Sequence, residues 1–218
     1  MYFEKDRIFH IYNQGNNRQP IFFEERNYLF FLQKMQVHVR PYADFLAWCL
    51  MPNHFHWMIY VKETELPISG RQENLKNKNF IIKNDGIQMV EKKAGISSST
   101  SLNQSIGTLL ASYTRAINHQ EGFSGSLFRK KTNAICLNDN SLTLRSWVEA
   151  MGITILNRDI PENQYTKICF DYIHQNPVKA GLVKNPEDWE FSSYKDLKGL
   201  RNGKLVNRNL VKELGLLD

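Results

Sequence analysis

The sequence predicts an α+β fold, a ferredoxin-like split βαβ layer in which an antiparallel sheet carries helices on one face. Three observations predict it. Alternating apolar patterns of strand length recur at residues 8–13, 45–50 and 131–137, and a fourth such run begins at His54. Two longer stretches repeat their apolar residues at helical spacing. Their order along the chain is strand, helix, strand, strand, helix, strand, the split βαβ arrangement. Such a sheet gives one face to its helices and leaves the other for a ligand. A further helix near residue 170 and a C-terminal tail are added to this layer.

The first strand, 8–13, stops at the turn-forming cluster Gln14-Gly15-Asn16-Asn17. From 24 to 39, Tyr28, Phe31, Leu32, Met35 and Val39 form a helical stripe that ends before Pro41. The second strand, 45–50, meets Met51-Pro52-Asn53, a connection tight enough for an antiparallel hairpin with the strand after it. Residues 62–100 are rich in Lys, Asn and Ser and poor in large apolar groups, the pattern of a flexible surface excursion. Order resumes at Ser101, which forms a capping-box pattern with Gln104. Leu102, Ile106, Leu109, Leu110, Tyr113 and Ile117 then make the buried stripe of a helix that ends near Gly122. The last strand of the layer is 131–137, and no internal repeat is visible.

Composition bounds the function. The chain has 218 residues, 42% of them hydrophobic, enough for one domain with a real core, and we treat 1–218 as a single domain. Its 28 Lys and Arg against 22 Asp and Glu give a net charge of +6, compatible with a polyanionic partner. Cys49, Cys136 and Cys169 are odd in number and lack Cys-x-x-Cys spacing, so neither a disulfide framework nor a zinc knuckle is indicated. A reducing cytoplasm is the expected location. The N-terminus lacks an apolar signal core, and no apolar run reaches the roughly 18 residues of a membrane span.

Two stretches carry candidate chemistry. In His54-Phe55-His56-Trp57 the histidines alternate with aromatics, so on a strand both imidazoles face one way while Phe55 and Trp57 face the core. Two neutral imidazoles make half of a metal site; the bland reading is a wet strand face. Far along the chain, 167–177 reads as a short helix closed by Pro177. Tyr172 and Asn176 stand four apart there, about 40° from each other around the axis, and share a face. The bland reading is an amphipathic helix with Tyr172 in the core and Asn176 as a polar stop. Tyr113 and Asn118, five apart, diverge by about 140°, which leaves Tyr113 as core. Tyr194 reads as a docking residue of the tail. His10, His38, His119 and His174 have no partner at ligand spacing and are assigned to structure or surface.

Taken together, Leu50-Met51-Pro52-Asn53-His54-Phe55-His56 and Asp171-Tyr172-Ile173-His174-Gln175-Asn176-Pro177-Val178-Lys179-Ala180-Gly181-Leu182-Val183 resemble the REP-associated tyrosine transposases. These lie within the single-tyrosine HUH transposases, named for histidine, hydrophobic residue, histidine. Similar stretches are Phe9-His10-Ile11-Tyr12-Asn13-Gln14-Gly15-Asn16-Asn17, Gly125-Ser126-Leu127-Phe128-Arg129-Lys130-Lys131 and Trp189-Glu190-Phe191-Ser192-Ser193-Tyr194. Residues 62–99 and 138–166 do not match. The resemblance implies that His54 and His56 bind metal, that Tyr172 is the nucleophile, and that Asn176 supplies a metal-binding amide where relatives carry glutamine.

It further implies nicking and transfer of single-stranded DNA, next to a hairpin or repeat, through a covalent 5′-phosphotyrosine. Mixed nitrogen and oxygen ligands suit Mg²⁺ or Mn²⁺ as the cofactor, since zinc favours a closed tetrahedral site. Arg129, Lys130 and Lys131 form a basic cluster that could neutralise phosphates, and Lys179 in the second motif joins them as a DNA-binding candidate. The protein is expected to act as a monomer or homodimer, with no membrane partner. The alternative from a different class is a non-catalytic binder of structured nucleic acid that retains the fold.

Overall fold

The computed structural model describes residues 1–67, 79–83, 86–90, 99–138 and 162–217. Strands β1 (Ile8–Gln14), β2 (Ala43–Met51), β3 (His54–Val61) and β8 (Asn133–Cys136) form one antiparallel sheet in the order β2-β3-β1-β8. In that order β1 and β2 run parallel with β3 between them, which is the split βαβ connection expected from the sequence. Met51 pairs with His54 across the Pro52-Asn53 turn, and β1 runs beside β3 from Ile8 opposite Tyr60 to Gln14 opposite His54.

Each face of the sheet has its own core. On the first, Phe9, Ile11, Phe45, Trp48, Leu50, Phe55, Trp57 and Ile59 meet helices α1 (Glu25–His38) and α2 (Leu102–Glu121). Phe31 of α1 is fully buried against Phe55, Trp57 and Tyr113, so its truncation to alanine would cost about 3–5 kcal/mol. Tyr113 is likewise core, its hydroxyl donating to the Ile21 carbonyl at 2.7 Å. The two helices have the ends the sequence encodes. Ser101 and Gln104 close a capping box on α2, and Gly122 ends it at φ 68°, a left-handed conformation that glycine adopts without strain.

The opposite face holds Leu46, Ala47, Cys49, Met51 and Met58 against Cys169, Phe170 and Ile173 of helix α3 (Glu162–Lys179). A β-bulge between Phe45 and Ala47 sets which face each β2 residue serves. Phe45 and Trp48, three apart, therefore share the first core, while Leu46 and Ala47 serve the second. Both faces are thus covered, and the second, which the sequence leaves for a ligand, is packed by α3 and the tail.

The tail seals the free edge of β2. Leu50 N–H donates to the Phe191 carbonyl, Ser193 N–H to the Trp48 carbonyl and Asn207 N–H to the Phe45 carbonyl, each at 2.8–2.9 Å. These bonds satisfy part of the edge that β2 would otherwise leave open. The tail is itself pinned where Arg201 forks onto buried Asp196 at 2.7 and 2.9 Å, between the short helices α4 (Tyr194–Leu197) and α5 (Arg208–Glu213).

Of the expected excursion at 62–100, a large part falls outside the described residues. Within it β4 (Glu65–Pro67) pairs with β7 (Ser99–Ser101), and β5 (Asn79–Lys83) with β6 (Gly86–Val90). Most of 138–166 also lies outside the described residues, up to the start of α3.

Candidate functional site

The candidate site lies on the second face of the sheet, at the end where β3 begins. His54 opens β3 immediately after the Pro52-Asn53 turn, and that turn is held from outside. Gly15 N–H donates to the Asn53 carbonyl at 2.8 Å, and Ile21 and Phe22 N–H groups donate to the Pro52 carbonyl. The loop from Gly15 to Gln19 folds back on itself closely enough that residue 15 has no room for a side chain. A β-carbon there would sit 2.1 Å from the Gln19 carbonyl oxygen.

Asn53 in turn fixes His54. Its amide nitrogen donates to the Arg18 carbonyl at 3.3 Å, which turns its oxygen to His54 Nδ1 at 2.6 Å. A carbonyl oxygen only accepts, so His54 carries its proton on Nδ1 and keeps a lone pair on Nε2. His56, two residues on, projects from the same face with its ring 5.0 Å from that of His54, and it is buried. Phe55 and Trp57 point into the first core, as the alternation predicts.

Helix α3 supplies the rest. The Tyr172 ring stands edge-on to His56 at 5.5 Å between centroids. Asn176, one turn later, is buried, and its amide nitrogen donates to the Tyr172 carbonyl at 3.0 Å. Lys179, a further turn along, holds its ammonium 5.1 Å from the centre of the Tyr172 ring. The structure therefore brings His54, His56, Tyr172, Asn176 and Lys179 together.

The helix does not close at Pro177, contrary to the sequence expectation. It runs through Pro177 to Lys179. Leu182 N–H returns to the Pro177 carbonyl and Gly181 N–H to that of Val178, a Schellman ending with Gly181 at φ 69°. Proline forfeits the bond its nitrogen would make to the Ile173 carbonyl, and the helix is continued past it by Ala180 N–H donating to the Asn176 carbonyl at 2.9 Å. The extra turn is what carries Lys179 onto the Tyr172 face.

Burial sets the charge state of the site. It lowers the pKa of His54 to about 4, against a smaller opposing contribution from the Asn176 amide, and that of His56 well below its ordinary value, helped by neighbouring His10 and His54. Both imidazoles are neutral at pH 7, the form that binds a cation. Burial also pushes the Tyr172 phenol up to about 12, with Asn176 pulling weakly the other way. Among the described residues no group of three His, Cys, Asp or Glu is placed to hold a metal ion.

Arg129, Lys130 and Lys131 are exposed. Arg129 N–H donates to the Gln14 carbonyl at 2.9 Å, and Gln14 pairs with His54, so the basic cluster starts one strand from the histidines.

Two residues of this centre escape sequence reasoning, His10 and Tyr12. His10 is fully buried, with its Nε2 2.9 Å from Nδ1 of His56. Tyr12 pairs directly with His56 across β1 and β3 and stacks on His10 at 5.0 Å. The signal existed, since His10 and Tyr12 stand two apart on a strand as His54 and His56 do. It needed the register between β1 and β3, which local spacing does not contain. His174, by contrast, turns away and sits 2.9 Å from the Ser193 hydroxyl, the structural role expected of it.

Fold and centre together define an α+β protein with a two-histidine strand facing a tyrosine helix. No protein-family model matches the chain, and no curated protein matches it in sequence. Among solved structures it aligns with a REP-associated tyrosine transposase bound to a REP hairpin, over 95% of this chain and 92% of that one, with 18% sequence identity and a TM-score of 0.48. Among the described residues no helix is long and apolar enough to cross a membrane.

Proposed function

We propose that this protein nicks and rejoins single-stranded DNA, with Tyr172 as nucleophile and a divalent cation at His54, His56 and Asn176. The observation that carries this reading is Tyr172 held edge-on to His56 by the helix turn that also brings Asn176 to His54. A core tyrosine needs neither neighbour. The donor set fits a hard cation. His54 keeps Nε2 bare because Nδ1 is spent on Asn53, and Asn176 spends its amide nitrogen on the Tyr172 carbonyl, which leaves the amide oxygen as its ligand atom. Bound there, Mg²⁺ or Mn²⁺ would withdraw charge from a nonbridging phosphate oxygen and help orient the phosphorus.

The remaining chemistry belongs to the chain. With a phenol pKa near 12, Tyr172 is a weak nucleophile until its proton is taken by water or a nearby base. The Lys179 ammonium over its ring favours the anion that results. Tyr172 Oη then bonds to phosphorus as the bond from phosphorus to the 3′ oxygen breaks. The 3′ oxygen departs with a proton as a free hydroxyl, and the 5′ phosphate stays on Tyr172. Attack by a second 3′ hydroxyl reverses these bonds and joins strands without ATP. Arg129, Lys130 and Lys131 flank the strand that carries the site and suit a DNA backbone beside a hairpin.

The test uses a hairpin-bearing single-stranded oligonucleotide with Mg²⁺ or Mn²⁺. A covalent protein–DNA adduct and a free 3′ hydroxyl are expected from the natural chain and neither from Tyr172→Phe. Cleavage that persists in chelator, or binding with no cleavage in any metal, would sink the proposal, the second result favouring a non-catalytic binder.

A further inference from the structure

His54 has its tautomer settled by Asn53, but His56 faces a partner that can donate or accept. That partner is His10, and the two rings lie almost parallel at 14°, centroids 5.1 Å apart, with 2.9 Å between His10 Nε2 and His56 Nδ1. Between two neutral imidazoles at this distance one proton is shared out. If it sits on His10 Nε2, His56 must carry its own proton on Nε2 and has no lone pair there. If it sits on His56 Nδ1, the Nε2 lone pair is free. Both side chains are at most 5% exposed. Tyr12 packs against both rings, stacked on His10 at 5.0 Å and tilted against His56 at 5.8 Å.

We infer that His10 is a positioning residue that holds His56 as the Nδ1-protonated tautomer, matching His54, so that both histidines present a bare Nε2 to the site. The inference rests on the proposed cation site for its purpose, though not for its geometry. Metal-bound histidines commonly donate their second N–H to a carboxylate, a carbonyl or water, and loss of that partner typically weakens metal binding 10–100-fold. Here the partner is a third imidazole from β1, forty-six residues away along the chain. An imidazole acceptor, unlike a carboxylate, adds no negative charge to a centre that must take in a phosphate.

The experiment has two readouts on the full chain. With ¹⁵N-labelled histidine and no metal, long-range ¹H–¹⁵N correlation spectra report which nitrogen of His56 is protonated. Nδ1–H is expected in the natural chain. Mn²⁺ titration, followed by the paramagnetic resonance of the free ion, should show a 10–100-fold weaker affinity in His10→Phe, with a thermal midpoint lowered because His56 Nδ1 loses its buried partner, and recovery of most of both losses in His10→Gln, whose amide oxygen can accept from Nδ1. A His56 proton found on Nε2 in the natural chain overturns the inference without any variant. So does His10→Phe binding Mn²⁺ as tightly as the natural chain. If His56 carries Nδ1–H and yet no Mn²⁺ binds, the tautomer assignment stands and the cation reading of the site falls.

Discussion

Acidification should unfold this protein steeply, and the slope can be worked from its buried histidines. His10, His54 and His174 are neutral when folded, with pKa values of about 3, 4 and 3, each lowered chiefly by burial. In the unfolded chain each returns to about 6.5. The folded values lie below the unfolded ones, so between them the unfolded chain binds more protons. Stability is therefore full above about pH 6.5 and falls as pH drops toward 4. Each histidine contributes a slope of about 1.4 kcal/mol per pH unit, and His56, which burial also holds well below its ordinary value, adds the same again, so the four together give about 5.5. A domain of roughly 10 kcal/mol loses all of it within about two units, which puts the acid midpoint near pH 4.5. Urea unfolding followed by tryptophan fluorescence at pH 6 and pH 5 measures that slope directly. His174→Gln keeps a partner for Ser193 without titrating, and should reduce the slope to about 4 kcal/mol per unit. A slope below about 1 kcal/mol per unit in the natural chain would refute the claim that these imidazoles are buried and neutral.

Other outcomes follow from the same geometry. Tyr172→Phe removes only a hydroxyl, so it should leave the thermal midpoint within a few degrees while abolishing the covalent adduct. Mapping the natural adduct by mass spectrometry should place it on Tyr172, and a peptide containing Tyr12 instead would reassign the nucleophile. Replacing Arg129, Lys130 and Lys131 together by alanine should flatten the salt dependence of single-strand binding, by about 0.7 in log–log slope for each phosphate no longer neutralised, and an unchanged slope would remove the cluster from the interface. Gly15→Ala drives a β-carbon to 2.1 Å from the Gln19 carbonyl, so the loop holding the Pro52-Asn53 turn must move. Cleavage in that variant should fall more than tenfold, and unaltered cleavage would show that the turn does not hold His54.

Much of this fold could be read in the sequence because its signals are local. The capping box at Ser101, the stop at Gly122 and the hairpin across Pro52-Asn53 each depend on residues within a few positions of one another. The face shared by Tyr172 and Asn176 is equally local, being one helix turn. The β2 bulge is different. Nothing in the run Phe45-Leu46-Ala47-Trp48 marks where the alternation slips, since all four are apolar and both faces of the sheet are covered. The extension of α3 past Pro177 was hidden for another reason. Proline costs the helix one bond to the preceding turn, and here the bonds from Ala180, Gly181 and Leu182 back to Asn176, Val178 and Pro177 hold the end together, partners that a rule about proline alone does not count.

The contribution of His10 was the least legible part, and it changes how the centre is understood. Residues near positions 10, 54 and 172 come from three segments, and only the sheet register together with α3 packing joins them. Two of these segments are strands paired over seven consecutive positions, so the distance from His10 to His56 is set by the backbone ladder rather than by side-chain choice. A register slip of one residue would send both histidines into the aromatic core. The aromatic packing of Phe55 and Trp57 on the other face forbids that slip, because it would expose them in exchange. Core and candidate site are thus two sides of one constraint: the hydrophobic face fixes the register, and the register fixes which imidazole meets which.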